Sequence, residues 1–156
     1  KLAAALGLPY AFASHFAPQA LRQAVATYRH EFQPSEQQAE PYVIAGVNVI
    51  AADSEQDAQA QLTTVRRARV RMFVQRGVSV TDEQADEILA SPQGSQIAEM
   101  MRYSAVGTAD QVHEALDAFA LHADADELMV VAASPGIDAR LRSLELLADV
   151  ADLVPA

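Results

Sequence analysis

The 156-residue sequence has no cysteine. That excludes disulfides, thiolate catalysis and cysteine-bound zinc, and it fits a cytoplasmic setting, which is the location expected. Lys1 is the one lysine, so no lysine later in the chain can form a Schiff base. Basic residues are scarce altogether. A formal net charge of −10 leaves no basic face for a phosphate backbone, so nucleic acid is not expected as a partner. No stretch approaches the ~18 to 20 uninterrupted apolar residues of a membrane span, and no signal-peptide pattern is evident; no membrane is expected either. A Gly-rich dinucleotide loop is missing, as is any legible Ser-His-Asp or Cys-His order. His30, His113 and His122 fall in or beside helical patterns. No histidine pair or histidine-carboxylate set has metal-ligand spacing, so no metal is expected.

Apolar residues make up 51% of the chain, with no low-complexity tract, which is enough for one domain with a sizeable core. The chain opens on Lys1-Leu-Ala-Ala-Ala-Leu-Gly7 without methionine or an N-cap, so residue 1 is not expected to be the first of the gene product. Pro9 stops this helical start, Tyr10 and Phe12 read as a short strand, and Pro18 opens a helix through residue 31. Residues 42–52 are a nearly continuous Val- and Ile-rich run, as in a strand covered on both faces. Asp53 or Ser54 caps a helix to about residue 75, which Gly77 ends. Thr81 with Gln84 opens a short helix to Leu89, which Ser91-Pro-Gln-Gly94 is expected to break. Residues 96–103 give another helical turn or two, and Thr108 with Gln111 opens a longer helix. A last strand at 126–133, a turn at Ser134-Pro-Gly136 and a helix over 138–153 complete the chain. Strands alternating with helices predict parallel pairing through right-handed crossovers. Three strands cannot close a barrel, since a (β/α)8 barrel takes eight.

Polar residues at the carboxyl ends of strands are where α/β proteins hold ligands. Ser14, His15 and Phe16 stand at such an end. His15 can face a bound ring or a reduced oxygen species, or it can hold a loop across the rim. Asn48 interrupts an apolar strand, so its amide either bridges neighbouring strands or touches ligand. Gly46, two residues earlier, leaves space on the same face. Gly107-Thr108 before a helix offers free amides to an anion, or serves as an ordinary cap. Arg66, Arg67, Arg69, Arg71 and Arg76 read as the solvated face of one helix.

Four segments, in order, carry a resemblance: Gly7-Leu-Pro-Tyr-Ala-Phe-Ala-Ser-His-Phe-Ala-Pro18, Pro41-Tyr-Val-Ile-Ala-Gly-Val-Asn-Val-Ile-Ala-Ala-Asp53, Val106-Gly-Thr-Ala-Asp-Gln-Val112 and Ala125-Asp-Glu-Leu-Met-Val-Val131. Together the chain resembles the C-terminal part of the luciferase-like flavin-dependent monooxygenases. The resemblance implies an α/β fold in which residues 1–156 are the C-terminal portion of a single (β/α)8 TIM barrel. Its three strands would be the sixth, seventh and eighth. It also implies FMN as cofactor, with the deazaflavin F420 as the alternative, and a reaction in which reduced flavin and O2 oxidise a small organic substrate. His15 would be catalytic, and Ser14, His15, Phe16 and Asn48 would line the flavin, whose phosphate site lies on earlier strands. Residues 77–103 would form a lid. A flavin reductase and a homo-oligomer are the partners implied. A non-catalytic relative that holds flavin or forms dimers is the alternative. A phosphosugar-type barrel fits the topology but lacks the lysine and the phosphate loop.

Overall fold

The computed structural model describes residues 1–14, 16–74 and 79–151. Its centre is β2, Val43–Ala51, in which every residue but Ile44 is buried. β-branched residues at Val43, Val47, Val49 and Ile50 suit an extended backbone packed on both faces. Three parallel partners flank it: β1 (Tyr10–Phe12), β3 (Ser104–Gly107) and β4 (Glu127–Ala132). β4 runs beside residues 44–49 of β2, β1 beside 43–45 and β3 beside 48–51. A strand has two edges, so β1 and β3 share the edge opposite β4, with β3 above the end of β1. β3 is a fourth strand where three are expected. Its sequence, Ser-Ala-Val-Gly, is too short to show a period, and only the free upper edge of β2 makes it a strand.

The helices are α1 (Leu2–Ala5), α2 (Leu21–Glu31, entered through a 3-10 turn at Pro18–Ala20), α3 (Glu55–Phe73), α4 (Asp82–Leu89), α5 (Pro92–Met100), α6 (Ala109–Ala123) and α7 (Ile137–Val150). The odd-numbered residues of β2, from Val43 to Ala51, meet Leu21, Val25 and Tyr28 of α2, Val112, Leu116 and Phe119 of α6, and Leu147 of α7. The expected caps form. Ser54 Oγ accepts the amide of Asp57 at 3.1 Å, Thr81 and Gln84 bond each other's amides, and Gln111 accepts that of Thr108 at 3.0 Å.

α3, α4 and α5 form a separate layer with its own small core of Val70, Ala85 and Ile97. Two expectations change here. The short helix ends at Leu89 as expected, but the next one starts at once, because Pro92 opens α5 and Gly94 lies inside it rather than in a break. A Cβ at Gly94 would fall 2.3 Å from the Leu89 carbonyl oxygen, so glycine is what allows α5 to close on the end of α4. The arginines of α3 are also not simply solvated. Arg67 clamps Asp82 (2.8 Å) and Asp86 (2.5 Å), and Arg71 pairs with Asp82, tying α3 to α4. Arg76 and Gly77 lie outside the described residues.

The amino ends of the strands are held by Asp126. Its Oδ2 accepts the Val43 amide at 2.7 Å and the Arg29 guanidinium at 2.9 Å, joining α2, β2 and the start of β4. Replacing Asp126 by alanine strands the Val43 amide, while Arg29 keeps Asp124 and the Pro41 carbonyl. We expect a loss of about 2–3 kcal/mol in urea unfolding, and an unchanged midpoint would show that water replaces the carboxylate.

Candidate functional site

The carboxyl ends of the strands gather the residues singled out above. After β1 the chain turns, with the Ser14 amide on the Phe12 carbonyl at 2.9 Å. Ser14 is fully buried and its hydroxyl donates to the Gly46 carbonyl of β2. The segment after β1 is therefore stitched to the middle of β2. Phe16 follows with 60% of its surface exposed. His15, between them, lies outside the described residues.

Asn48 is 2% exposed. Its Nδ2 approaches Ser104 Oγ of β3 at 3.5 Å, and that hydroxyl donates to the Met101 carbonyl at 2.8 Å. Gly46 and Asn48 stand on the face of β2 opposite the odd-numbered residues that meet the helices. By register, Met129 and Val131 of β4 share that face, 56% and 38% exposed. The open part of this face is therefore apolar, Met129 and Val131, with the buried amide of Asn48 beside it. Ser104 is the member that sequence reasoning missed, since nothing in Arg102-Tyr-Ser-Ala marks a strand.

The rim is charged but paired. Past the end of β2, Asp53 takes the Arg142 fork, with Nη2 at 2.5 Å and Nε at 3.2 Å, while Glu145 holds a third nitrogen at 3.2 Å. The hydrogen bonds from Arg142 hold the Asp53 carboxyl below the usual aspartate range, and the guanidinium is pushed up in turn. The Thr108 amide is taken by Gln111, so Gly107-Thr108 acts as a cap. Ser134, at the end of β4, is buried with no partner for its hydroxyl among the described residues. Its carbonyl accepts Arg140 Nε at 3.0 Å. Among the described residues no group of three His, Cys, Asp or Glu could hold a metal, and no helix is long and apolar enough to cross a membrane.

A planar aromatic ring fits such a wall, because Met129 and Val131 give it an apolar bed and Asn48 is the polar side chain next to them. A phosphate finds less, since Arg142 is already engaged by Asp53 and Glu145. These residues fit the ring of a flavin better than its phosphate.

A parallel sheet backed by helices, with its polar residues at the strands' carboxyl ends, is one wall of a β/α barrel. The family model of luciferase-like monooxygenases matches residues 1–125, and the chain belongs to that family. It is 38% identical over 154 residues to a luciferase-like monooxygenase of Escherichia coli K12, and 36% identical to the uncharacterized protein YvbT of Bacillus subtilis. Each alignment covers 96% of this chain and 45% of the relative, so the chain spans about half the length of the curated relatives it matches. Among solved structures it is similar to apo-MsnO8, with a TM-score of 0.79 and 36% identity over 99% of this chain and 48% of that one. The monooxygenase RslO1 from Streptomyces bottropensis shares the fold, with a TM-score of 0.58 and 20% identity over 95% of this chain and 42% of that one. The expected fold, part of a TIM barrel, is the one found.

The Asp53 pair gives a test in acid. A carboxyl whose pKa is lowered by folding adds stability above its unfolded value, and that stability is lost as pH falls through the folded value. Asp53→Asn should therefore be less stable than the parent at neutral pH, and the difference should shrink as pH falls below the ordinary aspartate range, which leaves the variant with the flatter acid limb. Thermal unfolding of both forms across that range checks it; parallel profiles would show that the pair carries no linkage.

Proposed function

We propose that the protein to which this chain belongs is a flavin-dependent monooxygenase that oxidises a small organic substrate, and that this chain supplies one wall of its flavin pocket. The single observation that carries the reading is the family match over residues 1–125, read onto the wall around Asn48. Bound reduced flavin would supply the electrons and the activation of O2. FMN is the form proposed, with F420 as the alternative.

The chain's own part is positioning and exclusion. Ser14, through Gly46, fixes the segment that carries His15 and Phe16 to β2. Asn48, steadied by Ser104, offers its amide to a polar ring edge. Met129 and Val131 give the ring an apolar bed and keep water from it. His15 is the residue proposed to face the reacting atoms, where imidazole can hold or move a proton.

In the intact protein, FMN titration and oxygen uptake with reduced FMN test this reading. Asn48→Leu should weaken FMN binding roughly tenfold, the order expected when one hydrogen bond to a ligand is lost. His15→Ala should lower substrate-stimulated turnover by ~10² or more. Wild-type values for both variants would remove these residues from the site, and failure of the parent protein to bind FMN or F420 would remove the function.

A further inference from the structure

The three-helix layer contains a cavity that none of the site residues above uses. It measures about 390 Å³ and is lined by six apolar side chains, among them Phe73, Ile97 and Met100, together with Gln93 and Gln96. That volume falls within the roughly 300–1,000 Å³ range of small-molecule sites. The cavity has a structural cause. Arg67 and Arg71 fasten α3 to α4 through Asp82 and Asp86, and Gly94 brings α5 against the end of α4. The three helices are thus braced at their contacts, and the space beside their small core, toward Phe73, Gln96 and Met100, is left open.

The chemistry of the lining selects its ligand. Among the described residues, no charged side chain lines the cavity. A carboxylate or ammonium entering it would lose water and meet no counter-charge. The two glutamine amides are neutral and both donate and accept. Gln93 Oε1 is engaged by Ser91 Oγ at 3.2 Å, whereas Gln96 stands exposed at the mouth, with no side-chain hydrogen bond among the described residues. Met100 has a second position in the molecule. With Glu99 it also walls a groove of about 330 Å³ against residues 16–20, the segment that follows the carboxyl end of β1. One side chain therefore borders both the cavity and the approach to the rim.

We propose that this cavity binds the apolar portion of an uncharged organic molecule, with Gln96 meeting its polar end and Met100 forming the boundary toward the rim. That this molecule is the oxidised substrate rests on the function proposed above; that the cavity binds such a molecule does not.

The chain has four methionines, and each reports a different place. Met100 lines the cavity, Met72 is 75% exposed outside it, Met101 belongs to the core cluster of Ile50 and Leu62, and Met129 lies on the open sheet face. Methyl-labelled methionine NMR of the intact protein, with each signal assigned by a Met→Leu substitution, can follow a titration with 1-octanol. The expected result is a saturable shift of Met100 while Met72 stays still. Octanoate should need at least ten times the concentration, and Gln96→Leu should weaken octanol severalfold. A response confined to Met129, no saturable response, or equal binding of octanol and octanoate would overturn the proposal. A Met100 response in a protein that binds no flavin would leave the cavity standing and remove the monooxygenase reading alone.

Discussion

The structure depends on one strand being paired along both edges and packed on both faces. β2 meets β4 on one side and β1 and then β3 on the other, so each residue from Val43 to Ala51 has its surroundings fixed. Such a strand tolerates little polarity, because a buried amide or hydroxyl without a partner costs about 1–3 kcal/mol. Asn48 is the exception, and Ser104 stands against it. The polar pair and the strand that supplies its second member therefore come together: without that segment alongside, the Asn48 side-chain amide would lose Ser104, and its backbone N–H would lose the Tyr103 carbonyl at 3.1 Å.

The two faces of β2 divide the chain's duties. Odd-numbered residues anchor α2, α6 and α7 and carry most of the hydrophobic burial. Gly46 and Asn48 look the other way, toward the face shared with Met129 and Val131, while Ile50 packs beneath Leu62 of α3 and Met101. Exposed apolar residues on an inner sheet face suit a barrel wall, and the chain's coverage of 45% of its relatives' length agrees with a wall rather than a closed barrel. Most of the packing rests on one face and the proposed chemistry on the lower part of the other, so substitutions at Asn48 and at Leu116, for example, should report on different properties.

Much of this was legible in the residues and some was not. The apolar run of β2 and the capping pairs Ser54 with Asp57 and Thr81 with Gln84 depend on neighbours a few positions apart, and they read directly. The parallel arrangement followed from strands alternating with helices. β3 did not read, because four residues carry no period and their partner lies more than fifty positions away. The break after Leu89 read correctly, but Gly94's place inside α5 did not, since its reason, a close approach to the Leu89 carbonyl, exists only after α4 and α5 pack. The α3 arginines looked solvated for the same cause, their aspartates sitting on another helix. At the site, Asn48 stood out as a polar residue in an apolar strand, while Ser104 gave no signal. Ser14 turned out to be tied to backbone, as a stitch between β1 and β2.

Hydrogen exchange of the intact protein with and without FMN tests the central claim most directly. The account predicts slowed exchange in peptides covering residues 13–17 and the carboxyl half of β2, with α2 and α6 unchanged because they lie behind the sheet. Slowing confined to those outer helices, or no slowing in this half of the protein at saturating FMN, would contradict it.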